Sequence, residues 1–399
     1  MPKPPPTPQT EAPKLPETRP KLVADPGADK YKLVFATSYA GKFSYLEKEE
    51  KESDEARQSY NDNFIEQLNK AGARGYRLTA ITGDLGLVRQ GEVQYEYAWF
   101  ETISNFYFAK NGFEEIYTRL SKQGFSVFDH LFLSRSCKDN ENTASDSATQ
   151  TLTEHCTYLD RFLLERVKGE DLPRQFRLAQ HVPHWREWYG DAALTTQVNS
   201  YLASGFYPMH AFSRFEVLLQ PVTGKGDFLP DKSEVQIVTG NIQKRVNELA
   251  QQGYRLALTH YEIAVMYRNR DTLKPVSYVW LQVMKKNFEQ ELVRLKERGA
   301  IYRMIYPDRN GDKYTLVFER PATDDGQRRE YRVLKIELQG VENVAEKKVE
   351  VDLTPSSKET LKTLNSLVKE GFIVRDLSDS EKNYKTHVYK TNVLLERSL

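Results

Sequence analysis

FIEQLNKAGARGYRLTAIT, residues 64–82, carries the plan of the whole chain in one phrase. Phe64, Leu68 and Ala71 fall on one face of a helix, because steps of four and three track its 3.6-residue period. Gly75 then fits the left-handed position that ends many helices, where a side chain would clash. From Tyr76 onward the composition turns strand-like. The phrase recurs at Gly124, Gly205, Gly253, Gly299 and Gly371. Four residues earlier stand Leu120, Tyr201, Leu249, Leu295 and Leu367, and seven earlier Tyr117, Val198, Val246, Leu292 and Leu364. Eleven earlier come Phe113, Leu194, Ile242, Phe288 and, as the exception, Thr360. Phe125, Phe206, Tyr254, Ala300 and Phe372 follow the glycines directly.

Around each phrase lie further strands. Leading strands read clearly in four units: YKLVFAT (31–37), QFRLAQH (175–181), EVQIVT (234–239) and EYRVLKI (330–336). VQYEYAWFET (93–102), TYLDRFLLER (157–166), RFEVLLQ (214–220), VSYVWLQVMKK (276–286), KYTLVFER (313–320) and KTHVYKTNVLLER (385–397) read as the second strand after each glycine. On that reading units two and five lack a leading strand and begin at Asn105 and Asn287, and YRNRD (267–271) is a hairpin tip. The expected fold is α+β: tandem β-α-β-β units, six copies, in mainly antiparallel sheets with helices on one face.

The glycines pair at offsets of 178 (Gly75 to Gly253), 175 (Gly124 to Gly299) and 166 (Gly205 to Gly371). Helix–glycine–strand junctions are common, but agreement at five positions and near-constant offsets point to duplication. The expected organisation is a disordered Pro-rich linker over residues 1–30, then two pseudo-symmetric three-unit halves, 31–222 and 232–399. PVTGKGDFLPDK (221–232) is the expected joint between them.

Composition narrows the function classes. Of 399 residues, 39% are apolar and 28% charged, the mixture of a globular protein. A net charge of +1 supplies no basic field, which argues against a non-specific nucleic-acid partner. No apolar run approaches the ~18 residues of a membrane span. No signal peptide is visible, and the first residues read as linker.

The unit resembles a family of small bacterial β-α-β-β domains of unknown function. The likeness rests on LNKAGARGYRL (68–78), VNELAQQGYRL (246–256) and LNSLVKEGF (364–372), and on the strand endings LLER and VFER. It covers single units, brings no catalytic residue, and implies a bacterial, non-enzymatic module.

Cys137 and Cys156 flank a polar loop between two expected antiparallel strands. A disulfide there would close about 20 residues, worth roughly 3 kcal/mol in the chain-entropy model, and would imply an oxidising compartment: periplasm, cell surface or secretion, with a cytosolic pair of free thiols as the alternative. HVPHWREWYGD (181–191) is the most unusual stretch. Trp185, Arg186, Trp188 and Tyr189 have the anchor chemistry of a binding loop, or the two tryptophans plug the end of a core. His181 and His184 could begin a metal site, but Pro183 keeps them off one helical face and no third strong ligand is in view. His130, His210 and His260 read as strand residues without a ligand role. LEKEEKESDEARQ (46–58) reads as a solvated extension into the first helix. Arg268 and Arg270, and Lys285 and Lys286, read as strand-end charges.

No nucleophile elbow, phosphate-binding loop, dinucleotide fingerprint or His-Glu-x-x-His appears. The expected function is therefore a non-catalytic envelope or secreted scaffold that binds protein partners or self-assembles, with no catalytic residue and no cofactor. The alternatives are a small-ligand or glycan-binding module on the Trp185/Trp188/Tyr189 loop, and a metal-dependent enzyme at His181/His184.

Overall fold

The computed structural model describes residues 29–40, 50–82, 85–105, 110–138, 155–170, 173–180, 191–213, 216–221, 233–260, 263–269, 275–284, 287–288, 290–291, 301–307, 313–321, 329–343, 345–346, 348–383 and 388–399. Among them are five α-helices and twenty β-strands. Unit one contains β1 (Tyr31–Phe35), β2 (Ser38–Ala40), α1 (Glu50–Ala73), β3 (Tyr76–Thr82) and β4 (Leu85–Gln90). Unit two contains β5 (Tyr95–Asn105), α2 (Lys110–Lys122), β6 (Ser126–Lys138) and β7 (His155–Val167). Unit three contains β8 (Arg177–Gln180), α3 (Asp191–Ala203), β9 (Phe206–Ser213) and β10 (Glu216–Pro221). Unit four contains β11 (Ser233–Thr239), α4 (Ile242–Gln251), β12 (Arg255–His260) and β13 (Ile263–Asn269). Unit five contains β14 (Val276–Met284), β15 (Ile301–Pro307) and β16 (Lys313–Pro321). Unit six contains β17 (Arg329–Asn343), β18 (Lys348–Leu353), α5 (Pro355–Lys369), β19 (Ile373–Asn383) and β20 (Val388–Ser398).

Every unit builds one antiparallel sheet with the same order: leading strand, closing strand, post-glycine strand. Unit six adds β18 and then β2, giving five strands. This corrects the strand reading at two places. The segment at 93–102 supplies β5, the leading strand of unit two, and that at 276–286 supplies β14, the leading strand of unit five. Units one and four close instead with β4 and β13. Tyr267 to Asn269 therefore lie inside β13, not at a hairpin tip.

The closing strand sits in the middle of each sheet and is buried on both faces, so it reads as an unbroken apolar run. Its alternate residues enter different cores. In β13, Ile263 and Val265 pack with unit three, whereas Ala264 and Met266 pack beneath α4. In β10, Val217 and Leu219 join Leu194 and Val198 of α3, while Leu218 joins Phe113 and Tyr117 of α2. A helix thus covers one face of its own sheet and the facing side of the next unit's sheet. The period-two alternation of a strand, applied to a doubly covered sheet, makes each core a shared property of two units.

These shared cores run around a closed circle. Units one and two meet through Leu68 and Tyr97, two and three through Tyr117 and Leu218, and three and four through Val198 and Val235. Units four and five meet through Val246 and Tyr278, and five and six through Phe318 and Tyr331. Unit six then packs Leu364, Val368 and Phe372 against Tyr31 and Leu87 of unit one. Post-glycine strands lie side by side at several joints (β9 with β12, β15 with β19, β19 with β3), while a helix fills the space toward the leading strands. Each unit is consequently a wedge, and wedges stacked in one sense close a ring.

Helix ends follow the glycines. Gly75, Gly124, Gly205, Gly253 and Gly371 have φ of 85°, 87°, 85°, 88° and 97°, and Gly299 lies outside the described residues. At Gly205 a Cβ would meet nothing within 4 Å, so only the backbone conformation asks for glycine there.

Candidate functional site

The recurrent chemistry of the molecule lies at the joints between units. Six residues before four of the helix-ending glycines stands an asparagine: Asn69, Asn199, Asn247 and Asn365. Each grips one residue of the next unit's leading strand through both backbone groups. Asn69 accepts from Tyr97 N at 2.8 Å and donates to Tyr97 O at 3.1 Å. Asn199 does the same to Val235 at 2.9 and 2.8 Å, and Asn247 to Tyr278 at 2.6 and 3.1 Å. Asn365 grips Tyr31 at 3.0 and 3.1 Å, across the seam where the ring closes. A carboxamide mimics the edge of a neighbouring strand, so it satisfies the free donor and acceptor of a sheet edge.

A second device repeats at three joints. Tyr97, Tyr278 and Tyr331 lie directly opposite Glu165, Glu319 and Glu396 in the strand ladder. Each tyrosine hydroxyl accepts a backbone N–H from the preceding unit: Leu78 at 2.7 Å, Leu256 at 2.8 Å and Tyr302 at 3.0 Å. These three donors sit three residues past a unit glycine, where the ladder slips by one residue. A bulge frees an N–H from the ladder, and a buried free N–H needs an acceptor. Tyr97 then donates to Glu165 at 3.1 Å and Tyr278 to Glu319 at 3.0 Å. Arginines hold the acids: Arg77 reaches Glu165 at 2.9 Å, Arg303 reaches Glu319 at 2.7 Å, and Arg375 reaches Glu396 at 2.8 Å, with Arg329 on its other oxygen.

Two further bulges are handled differently. At the joint of units two and three the acceptor is Tyr117 of α2, which takes the Val127 N–H and a bond from Gln220 at 2.5 Å. In unit three the slipped position is Pro208, which has no N–H to satisfy, and the gripped residue of the next strand is Val235 rather than tyrosine.

Electrostatics agree with a structural role for these groups. Burial pushes the Tyr97 and Tyr278 hydroxyls well up, and the facing glutamates add to the rise. Burial lifts Glu165 as well, with Arg77 working against the lift. Tyrosines held this firmly in their neutral form cannot serve as bases near neutral pH. At the joint of units five and six, Asp376 of β19 accepts from Tyr302 Oη at 2.6 Å and from Leu377 N at 2.8 Å. Desolvation lifts its carboxyl to about 6, and Asp129 of β6 in unit two contributes a smaller repulsion.

A small crevice opens beside α1 and β5, lined by Tyr60, Asn61, Phe64, Trp99, Arg161 and Leu163 among others. Its enclosed room, about 10 Å³, suits one water. Asn61 is buried with Nδ2 unpartnered at its wall, and Arg161 lies 5.5 Å over the Trp99 ring while pairing with Glu101 at 2.9 Å.

The register sets Cys137 of β6 directly opposite Cys156 of β7, although their side chains lie outside the described residues. His181, His184, Trp185, Arg186, Trp188 and Tyr189 also lie outside the described residues. His210 is a strand residue, its Nε2 3.4 Å from Val127 O. Arg268 is not a loose strand-end charge: it pairs with Glu234 at 2.6 Å over the Tyr254 ring. Among the described residues no group of three or more His, Cys, Asp or Glu is placed to hold a metal ion, and no described helix is long and apolar enough to cross a membrane. Comparison with protein-family models, curated proteins and solved structures finds no match.

The sequence reading missed the tyrosine–glutamate–arginine joints, although their signals were in view. The Leu-Asn and Val-Asn pairs ahead of the glycines are the grips, and the Glu-Arg strand endings supply the buried acids. A tyrosine in a strand looks like any half-buried aromatic until register places it opposite glutamate.

Proposed function

We propose that the chain is a non-catalytic scaffold acting outside the cytoplasm, a ring built from copies of a small bacterial domain that presents arms to protein partners. The observation that carries the reading is repetition. Tyrosines set opposite glutamates recur at equivalent registers of three joints, each hydroxyl accepting a backbone N–H from the preceding unit. Chemistry repeated at three of the six joints, and answered in each by groups of the neighbouring unit, is chemistry that holds the wheel together.

Departure from the repeat supports a binding role for particular units. Strands of units one, three and four run 3 to 8 residues, whereas β6 and β7 run 13 each and β17 runs 15. In unit two the core stops at Phe100, Val127 and Phe162, and the strands stay paired, with one further register shift between Phe132 and Ser134, to Asn105, Lys138 and His155. That continuation is the proposed arm. Directly opposed residues in an antiparallel pair have Cα atoms about 4.5–5.5 Å apart, within the span of a disulfide, which supports a Cys137–Cys156 bridge stiffening it and hence an oxidising location.

The test replaces residues 131–160 by a two-residue turn and compares the partners and self-association of both proteins, purified from the native host. The reading requires an association that the shortened protein loses while keeping its unfolding temperature within a few degrees. An unchanged set of associations, or none for the intact protein, refutes it. Alkylation before and after reduction counts the thiols, and two free thiols in native protein would remove the extracytoplasmic part.

A further inference from the structure

Two of the ring's joints fall between its halves, and they are built alike. Unit three meets unit four through Asn199 on Val235, with Thr195 Oγ1 accepting from Ile237 N at 3.0 Å. Unit six meets unit one through Asn365 on Tyr31. The first joint is spanned by the chain between Pro221 and Ser233; the second has no peptide link. It is nevertheless as well sealed. Tyr31, Leu87, Leu364 and Phe372 are 4% exposed or less, β2 adds to the edge of β18 from Lys348↔Ala40 to Glu350↔Ser38, and Val351 N donates to Thr37 O at 2.9 Å.

We propose that the two half-rings are obligate docking partners: each half presents a terminal helix and an open leading strand, and the complementary half of the chain is their occupant. Residues 31–221 offer α3 and β1; residues 233–398 offer α5 and β11. Separated, the second half would expose Val235, Ile237, Ile263 and Val265, all 1% exposed or less in the ring. Neither half owns a complete core at its ends. The contact is head-to-tail at both joints, the arrangement that closes when the rotations sum to a full turn. The asparagine pattern carries the same symmetry. Grips occur in units one, three, four and six, while the equivalent residue of unit two is Thr118 and of unit five Val293. One half therefore repeats the other's order of gripped and ungripped joints. The inference does not rest on the scaffold reading.

The experiment places a specific protease sequence in the 222–232 connector of the full chain, folds the protein, and cuts it. The two fragments are expected to co-elute at the uncut volume on size exclusion down to nanomolar concentration, with an unchanged circular dichroism spectrum. Adding Asn199→Ala and Asn365→Ala is expected to weaken the association about tenfold per lost grip. A circular permutant, joining residue 399 to 29 by a linker as long as 222–232 and opening the chain there, should unfold within a few degrees of the parent. Fragments that separate or aggregate on cutting overturn the proposal, as does a permutant that folds only when 222–232 is left intact.

Discussion

Unit four faces two neighbours and solves the same problem twice, in different ways. Toward unit five, the N–H freed by the bulge in β12 is Leu256 N, and Tyr278 accepts it while donating to Glu319. Toward unit three, the bulge in β9 falls at Pro208, and no acceptor is needed because no donor exists. The position gripped by asparagine is Tyr278 in one case and Val235 in the other. The polar joint and the proline joint have the same backbone course, so geometry alone demands neither tyrosine nor proline. What it demands is that a buried N–H be absent or answered.

The largest expected disturbance is at the joint of units one and two. A Cβ at Gly72 would lie 2.3 Å from Tyr95 O and 3.3 Å from the Tyr97 ring, so α1 rests there on the bare backbone of β5. Units three and six carry Leu202 and Val368 at the equivalent place, both buried in their cores. Gly72→Val should destabilise the ring by about 3 kcal/mol, the upper range for overpacking, read as a lower urea midpoint. A midpoint within error of the parent would mean that all joints share one helix-to-strand spacing.

Next come paired changes that contrast the two solutions. Tyr278→Phe leaves Leu256 N without its acceptor and takes one donor from Glu319, which keeps Arg303, at a cost of about 1–3 kcal/mol. Pro208→Ala introduces a buried N–H into a joint that has no hydroxyl to meet it, with a cost in the same range. Both are measured by chemical denaturation, and Tyr207→Phe, one residue from Pro208 on the partly buried side of β9, serves as a mild control. Equal tolerance of Pro208→Ala and the control would break the comparison.

These contrasts also show how far the sequence could be read. Helix stripes and terminal glycines were plain because each is local: a face every three or four residues, then a residue free to take positive φ. Strand partnership was not. LGLVRQ (85–90) and IAVMYRN (263–269) are short runs buried on both faces, without the alternation that marks an exposed strand, so the longer β5 and β14 were assigned to the units before them. The joints were hidden for the same reason. Asn69 and Tyr97, or Glu165 and Arg77, lie far apart in the chain, and only register and stacking bring them together. Ring closure, which pairs Tyr31 with Asn365, has no local signature at all.

A pH test contrasts a raised carboxyl at the joint of units five and six with a lowered one inside unit four. Desolvation raises Asp376 to about 6, above its ordinary 3.8; the Tyr302 hydroxyl and the Leu377 N–H oppose the rise, and the charge of Asp129 adds a smaller push upward. The raised value of Asp376 means that the folded ring holds the proton more tightly than the unfolded chain. The stability this supplies is full below about 4 and is lost as pH rises through about 6. Asp376→Asn should flatten that part of the stability profile, whereas Glu234→Gln, a carboxylate lowered by Arg268 despite some burial, should act in the opposite sense.

The smallest expected effect isolates the backbone. Gly205→Ala adds a methyl group to open space, since nothing lies within 4 Å of the added carbon. Any loss must therefore come from holding alanine at a φ of 85°, worth roughly 1–2 kcal/mol. Asparagine tolerates that region better than alanine, so Gly205→Asn should recover part of the loss. The comparison among units then becomes quantitative. At Gly371 the added carbon would lie 3.8 Å from the Arg397 side chain, an ordinary contact, at a φ of 97°. Gly371→Ala should match Gly205→Ala within about 0.5 kcal/mol, the scatter expected of independent sites. A much larger loss at Gly371 would show that strain beside the unlinked seam between units six and one is felt more strongly than strain beside the linked seam between units three and four, and would mark the former as the weaker closure of the ring.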